Sequence, residues 1–176
     1  MSELKYRDFR GGVISRVANV SPTTVASWGI TLGYKRGEGH KRYDLIDALA
    51  AVIMVELTVK NQMMASRAAD IVNKLRPYLP DIVSAYEAEK AERKKWRWVG
   101  GPYAVVSSDR DSGSPGRIVA IAEDDRALGL MCSKNELSGS LLVIPLPRLI
   151  NKVTMALDII FSDEDPFYAP EEAAEG

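Results

Sequence analysis

The spacing of apolar residues changes at Trp96, and this change limits the fold more than any other feature of the chain. Before it, apolar residues recur at intervals of three and four, as in "VISRVANV" and "LIDALAAVIMVEL", which is typical of amphipathic helices. After it, short β-branched runs such as "GRIVAIAE" alternate with turn-forming stretches such as "DRDSGSPG". The sequence therefore predicts an α+β fold, with helices first and a small, mainly antiparallel sheet after them.

Four runs in the second half are predicted to be strands: "WRWVGGPYAVVSS", "GRIVAIAE", "RALGLMCS" and "GSLLVIPL". Pro145 and Pro147 then introduce a last helix with one apolar face. The residues of that face are Leu149, Ile150, Val153, Leu157, Ile160 and Phe161. This face is expected either to cover the sheet or to pair with a second subunit.

Two further helices are predicted between residues 60 and 95. Pro77 and Pro80 are expected to break the first, and Asp81 to cap the second. Met63 and Met64 are interpreted as core-filling side chains. The predicted domains are 1–59 at the N-terminus, 60–95 as connecting helices, 96–162 as a C-terminal α+β domain for self-association or sensing, and 163–176 as a flexible acidic tail.

Composition excludes several functional classes. Cys132 is the only cysteine and His40 the only histidine among 176 residues, so one chain forms no disulfide and no Cys/His metal cluster. No nucleophile elbow or phosphate-binding loop is present, so we expect neither an enzyme nor a cofactor or metal site. Cys132, within an apolar run, is expected to be buried and inert. The longest apolar stretch, "ALAAVIMVEL", is too short to span a bilayer, and a cytoplasmic location is expected.

Charge is unevenly distributed. Residues 1–43 contain eight Lys/Arg and three Asp/Glu, whereas residues 163–176 contain six acids and no base. A basic end of this kind suits binding to a polyanion such as DNA. The arm "KYRDFR" adds Lys5, Arg7 and Arg10, which are expected either to form a solvated terminus or to contact phosphates or a minor groove.

The segment "VISRVANVSPTTVASW" predicts two short helices joined by a turn. Ser21 is a suitable N-cap and Pro22 a suitable first residue for the second helix. Val25 and Trp28 are expected to be buried, which leaves Thr23, Thr24, Ala26 and Ser27 facing outward. Such a pair is either a helix-turn-helix, whose second helix enters the DNA major groove, or a plain helical hairpin within a larger core.

The next segment, "LGYKRGEGHKRY", predicts a β-hairpin whose arms are cationic. Gly33, Gly37 and Gly39 supply the turn positions, and the hairpin is suited to lie along phosphates as a wing. Asp44 is predicted to cap a third helix that runs to about Thr58.

This order of a helix, "VSPTTVASW", a Gly-rich basic hairpin, "KRY" and an apolar helix resembles the winged helix-turn-helix of MerR-type regulators over residues 11–58. The resemblance implies a sequence-specific regulator of transcription, expected to be a repressor, that binds double-stranded DNA. Two-fold operators are read by dimers, so at least a homodimer is expected. The candidate DNA-binding residues are Arg16, Ser21, Thr23, Thr24, Ser27, Tyr34, Lys35, Arg36, His40, Lys41 and Arg42.

The chain departs from the family pattern at Ala26 and Ser27, where the family carries an arginine and an aromatic residue. The wing is then expected to supply more of the nonspecific attraction to DNA. Two other functions stay open: a phage-type excision, partition or packaging factor that assembles a protein–DNA complex, and a protein–protein adaptor that does not touch DNA. No motif points to a small-molecule effector.

Overall fold

The computed structural model describes residues 6, 10–32, 42–92, 101–109, 114–133 and 141–162. The helices in these ranges are α1 (Gly11–Ala18), α2 (Pro22–Thr31), α3 (Leu45–Val55), α4 (Ala65–Leu75), α5 (Leu79–Glu92), α6 (Asp125–Ser133) and α7 (Leu146–Ile160). A π-helical turn, Glu56–Lys60, continues α3, and a 3-10 turn, Arg76–Tyr78, joins α4 to α5. Helices and a small antiparallel sheet together confirm the predicted α+β class.

The sheet has three strands, β1 (Tyr103–Asp109), β2 (Ser114–Ala122) and β3 (Leu141–Pro145), in the order β2-β1-β3. Both pairings are antiparallel, and Val105 on the central strand lies opposite Ala120 and Val143. Three of the four predicted strands are therefore present, and the sheet is antiparallel as expected.

The strand predicted for "RALGLMCS" is wrong, because these residues form most of α6. Asp124 begins the helix: its carboxylate accepts a hydrogen bond from the Ala127 N–H at 2.7 Å. Ala127, Leu128 and Met131 are half-buried at helical spacing, while Cys132 is exposed. The expectation of a buried cysteine is therefore also wrong, since the helix turns that side chain away from its packed face.

Helix α3 is the centre of the molecule, and all its residues from Leu45 to Met54 are buried. It packs against α1, α4 and α7. One cluster of buried side chains runs from α1 through α3, α4 and α5 to strands β1 and β3 and helix α7. The helical first half and the sheet-containing second half therefore share a hydrophobic core.

Helix α7 packs its apolar face against α1 and α3. Leu149, Ile150, Val153, Leu157 and Ile160 are buried, as predicted. Phe161, the last residue of the predicted face, is instead 40% exposed and lies just beyond the end of the helix. The partner of this face is thus the N-terminal helices, which neither sequence-based expectation named.

The first connecting helix ends before Pro77 as predicted, but the second begins earlier than predicted. Pro77 lies in the 3-10 turn and Pro80 in the first turn of α5, positions that tolerate a missing N–H. Helix α5 begins at Leu79, so Asp81 lies inside the first turn and does not cap it. Met64 is 66% exposed, contrary to its predicted place in the core, because it precedes α4 in an extended conformation.

The N-terminal arm is anchored to the core at Tyr6, which is 7% exposed. Its hydroxyl donates to Asp158, its ring stacks on Phe161 with the centroids 6.2 Å apart, and its carbonyl accepts from the Leu45 N–H at 3.2 Å. The prediction of a solvated terminus is therefore wrong at Tyr6, which is buried. Of the cations of the arm, Arg10 is exposed and the other two lie outside the described residues.

Candidate nucleic-acid interface

The turn between α1 and α2 is closed by hydrogen bonds on both sides. Asn19 ends α1 in the left-handed conformation, with φ 54° and ψ 49°, which asparagine tolerates better than most residues. The N–H groups of Asn19 and Val20 donate to the carbonyls of Arg16 and Ser15 at 3.2 and 3.0 Å. The Ser15 hydroxyl donates back to the Val20 carbonyl. These bonds fix the direction in which α2 leaves α1.

Helix α2 begins with the predicted cap. Ser21 Oγ accepts a hydrogen bond from the Thr24 N–H at 3.1 Å, and Pro22 occupies the first helical position. The Ser21 hydroxyl also lies 2.8 Å from the hydroxyls of Thr23 and Thr24. Ser27 donates its hydroxyl to the Thr24 carbonyl at 2.8 Å. We call Ser21, Thr23, Thr24 and Ser27 the hydroxyl cluster.

Apart from Thr24, the two faces of α2 are arranged as the sequence predicts. Val25 and Trp28 are buried, at 3% and 7% exposure, and pack against the common core. Thr23, Ala26 and Ser27 are exposed, and the Thr24 side chain is half-buried. The exposed face is therefore small and uncharged, which allows another surface to approach the helix backbone closely.

The electrostatics of this end of α2 favour an anion or a hydrogen-bonding edge. No acidic residue lies in the first turn, so nothing there offsets the partial positive charge of the helix N-terminus. Hydroxyl hydrogens rotate, so the hydroxyl cluster can present donors or acceptors. Arg16, in the last turn of α1, and Arg42, two residues before the cap of α3, are exposed cations on the neighbouring elements.

Helix α3 begins with a reciprocal capping box. Asp44 caps the helix as predicted: its carboxylate accepts from the Asp47 N–H at 2.9 Å, and the Asp47 carboxylate accepts from the Asp44 N–H at 3.1 Å. Arg76 pairs with Asp47 and also donates to the Leu32 carbonyl at 3.3 Å. One guanidinium therefore joins the end of α2 to the start of α3 and to the turn after α4.

Sequence reasoning did not find Asp47 or Arg76. The spacing of two acids three residues apart at a helix start is a signal that could have found Asp47. Nothing in the local pattern marks Arg76, because its carboxylate partner is 29 residues away in the chain.

Two pKa values at this junction are perturbed. Burial raises the pKa of Asp47, the neighbouring charge of Asp44 raises it further, and Arg76 opposes both effects. Burial also raises the pKa of Tyr43, with a smaller contribution from the Asp47 charge. Arg76 therefore favours the ionised form of the Asp47 carboxylate at this position.

The structure brings the four members of the hydroxyl cluster together on one helix and leaves Arg16 and Arg42 on separate, adjoining elements. The candidate wing residues lie outside the described residues: Tyr34, Lys35, Arg36, His40 and Lys41. The wing therefore stays a prediction, as does the winged arrangement as a whole.

The cap of α2 gives a testable prediction. Replacing Ser21 with alanine removes the acceptor for the Thr24 N–H, and we expect a loss of about 1 kcal/mol in the free energy of unfolding. The control is Thr23→Ala, an exposed position that accepts no backbone bond from the helix, with an expected change within about 0.5 kcal/mol. Urea unfolding measures both, and equal losses would contradict the capping role of Ser21.

No protein-family model matches this chain, and no curated protein matches it. Across the part of the chain that the structure describes, no helix is long and apolar enough to cross a membrane. In the same ranges, no group of three His, Cys, Asp or Glu residues could hold a metal ion. The functional assignment therefore depends on the residues of the α1–α2 surface itself.

Proposed function

We propose that this protein is a sequence-specific, DNA-binding regulator of transcription whose α2 enters the major groove. The observation that carries the proposal is the hydroxyl cluster, exposed at Ser21, Thr23 and Ser27, at the N-terminus of a helix whose direction is fixed by a closed turn. Helix-turn-helix proteins contact base edges through this end of their second helix. A small, uncharged face allows the helix to lie deep in the groove.

Specificity and affinity come from different residues in this proposal. Thr23 and Ser27 are exposed and carry hydroxyls that can bond base edges, while Ser21 orders the first turn. Arg16 and Arg42 contact phosphates beside the helix, which positions it without reading sequence. The basic residues of the segment 33–41 add further phosphate contacts.

The protein is proposed to act as a homodimer or larger homo-oligomer. A single short recognition helix buries too little surface for tight specific binding, and two copies related by a two-fold axis read an inverted repeat. Binding of such a dimer over a promoter excludes the polymerase, which makes repression the expected outcome. The proposed location is the bacterial cytoplasm.

The test is selection from sheared DNA of the source organism at moderate salt, followed by sequencing of the retained fragments. We expect enrichment of a few inverted repeats near promoters. Retention without sequence enrichment would instead indicate an excision, partition or packaging factor. No retention would indicate a protein–protein adaptor, a function compatible with the uncharged Ala26 and Ser27.

A second prediction concerns the wing. Replacing both Arg36 and Lys41 with alanine should weaken binding to every DNA sequence. It should also reduce the slope of the logarithm of the binding constant against the logarithm of the salt concentration by about 2, because two phosphate contacts are lost. The matched control replaces Lys74 and Lys90, two exposed lysines on α4 and α5, and should leave the salt slope unchanged. Fluorescence anisotropy with a random duplex measures both, and an unchanged slope in the first variant removes the wing from the proposed interface.

A further inference from the structure

A cleft of about 510 Å³ lies between the π-helical turn and α7, and its lining contains none of the proposed DNA-binding residues. Glu56 and Lys60 line it from the π-helical turn, and Arg148, Lys152 and Met155 line it from α7. Its volume is within the range typical of small-molecule sites. The end of α3 and the outward side of α7 therefore form one concave surface.

The cleft carries an excess of positive charge. Its lining holds three cationic side chains and a single carboxylate, and that carboxylate, Glu56, already pairs with Lys60 at 2.6 Å. Arg148 and Lys152 are exposed and lie one turn apart on α7. Within the described ranges neither has an ion-pair or hydrogen-bond partner. An anion that enters the cleft thus meets two cations whose charge is not already neutralised.

The same cleft has an apolar side. Met155 follows Lys152 by three residues and is 54% exposed, and the buried Leu149 also contributes to the lining. Ile159, one turn beyond Met155, is 68% exposed but is not part of the lining. A ligand in the cleft can therefore contact both positive charge and hydrocarbon.

The wall formed by the π-helical turn is held by hydrogen bonds. The Thr58 hydroxyl donates to the Met54 carbonyl and the Asn61 amide to the Glu56 carbonyl, each at 2.7 Å. The N–H of Met63 donates to the Leu57 carbonyl at 3.0 Å. π-Helical turns are rare and frequently occur at functional sites. This wall is preformed, so a ligand does not have to order it.

The opposite wall is held through Asn151. The Tyr86 hydroxyl donates to the Asn151 side chain at 3.2 Å, and burial raises the pKa of this hydroxyl to about 12. The Asn151 amide in turn lies 3.4 Å from the sulfur of Met155. Asn151 therefore joins Tyr86 to Met155 on this wall.

We infer that this cleft binds a small amphipathic anion, a carboxylate attached to a hydrocarbon chain. The Arg148 guanidinium matches a carboxylate in a two-pronged geometry, and Lys152 adds a second donor. The hydrocarbon chain lies against Leu149 and Met155. This inference does not depend on the proposed binding to DNA, because it uses none of the residues of the α1–α2 surface.

The test is titration of the full chain with decanoate below its micelle concentration, followed through the carbon-13-labelled methyl group of Met155. We expect saturable movement of this signal, which the Met155→Leu variant assigns. Arg148→Gln combined with Lys152→Gln should weaken binding by about tenfold or more, because two charge-assisted contacts are lost. Decanol has the hydrocarbon chain without the charge. It should bind to the native protein at least as weakly as decanoate binds to the double variant.

The control for net charge is Lys74→Gln combined with Lys90→Gln, which removes two exposed positive charges elsewhere and should leave the affinity unchanged. Lys152→Arg should retain binding, and unchanged urea unfolding of each variant shows that the fold is intact. The inference is overturned if the Met155 signal does not saturate, if both double variants lose affinity equally, or if decanol matches decanoate. It is also overturned if a short DNA duplex, and not decanoate, moves this signal in an Arg148-dependent manner.

Discussion

Replacing Ile150 with alanine is expected to lower the free energy of unfolding by about 2–5 kcal/mol, the usual range for such a change in a packed core. Ile150 is fully buried on the face of α7 that packs against α1 and α3. Removing its branched side chain leaves a cavity between the first and the last helices of the described chain. The loss combines hydrocarbon that is no longer removed from water with contacts that its neighbours no longer make.

The matched control is Ile159→Ala on the same helix. Ile159 is 68% exposed, so its truncation should change the free energy of unfolding by no more than about 0.5 kcal/mol. Urea unfolding followed by circular dichroism and by tryptophan fluorescence measures both variants. Because the buried cluster crosses from α1 to α7, the two signals should change in a single coincident transition. Two separate transitions, or equal losses in the two variants, would contradict a shared core.

Replacing Arg76 with methionine is expected to lower the free energy of unfolding by about 1–3 kcal/mol at neutral pH. Removing one partner of a fully buried ion pair costs more, but 31% of the Arg76 side chain is exposed and water screens part of the effect. The variant leaves the Asp47 carboxylate buried beside Asp44 without its cation. It also leaves the Leu32 carbonyl without this donor.

The same variant should show a defined dependence on pH. The pKa of Asp47 is raised on folding, so the folded protein holds the proton of this carboxyl more tightly than the unfolded chain does. The stability that this difference provides is complete below the ordinary pKa of 3.8 and is lost as the pH rises through the raised pKa of the folded protein. Arg76 limits this loss because it favours the ionised carboxylate. Without Arg76 the pKa rises further, so the variant should lose more stability than the native protein as pH increases.

Urea unfolding of both proteins between about pH 4 and pH 7 checks this expectation. The stability deficit of Arg76→Met should be smallest at the acidic end of the series. Adding Asp47→Asn to Arg76→Met removes the titrating group and should remove the extra pH dependence. A deficit that stays constant with pH would show that Arg76 acts by packing rather than through the charge of Asp47.

Local signals in the sequence predicted the helix starts of the candidate interface correctly. Ser21 and Asp44 cap α2 and α3 because a short side-chain acceptor reaches the first free N–H groups of the same helix. Val25 and Trp28 are buried because their spacing places them on one side of α2. Interactions of this kind span three or four residues, so the amino-acid order is sufficient to reveal them.

Local signals were insufficient where the apolar run was short. "RALGLMCS" is compatible with a strand or a helix, and Asp124, which lies before the run, caps it as a helix. The prediction that Cys132 is buried was wrong for the same reason, because it assumed that this run is a strand. In both cases the deciding contact lay just outside the window in which the pattern was interpreted.

The sequence by itself determined the α+β class, the capped helices of the N-terminal segment and most of the residues that α2 exposes. Only the tertiary structure decided that α7 packs on α1 and α3, that Arg76 joins Asp47 to the end of α2, and that a cationic cleft forms beside the π-helical turn. The physical reason is distance along the chain. Periodicity and capping depend on neighbours within one or two helical turns, whereas the choice of a distant partner depends on how the whole core packs.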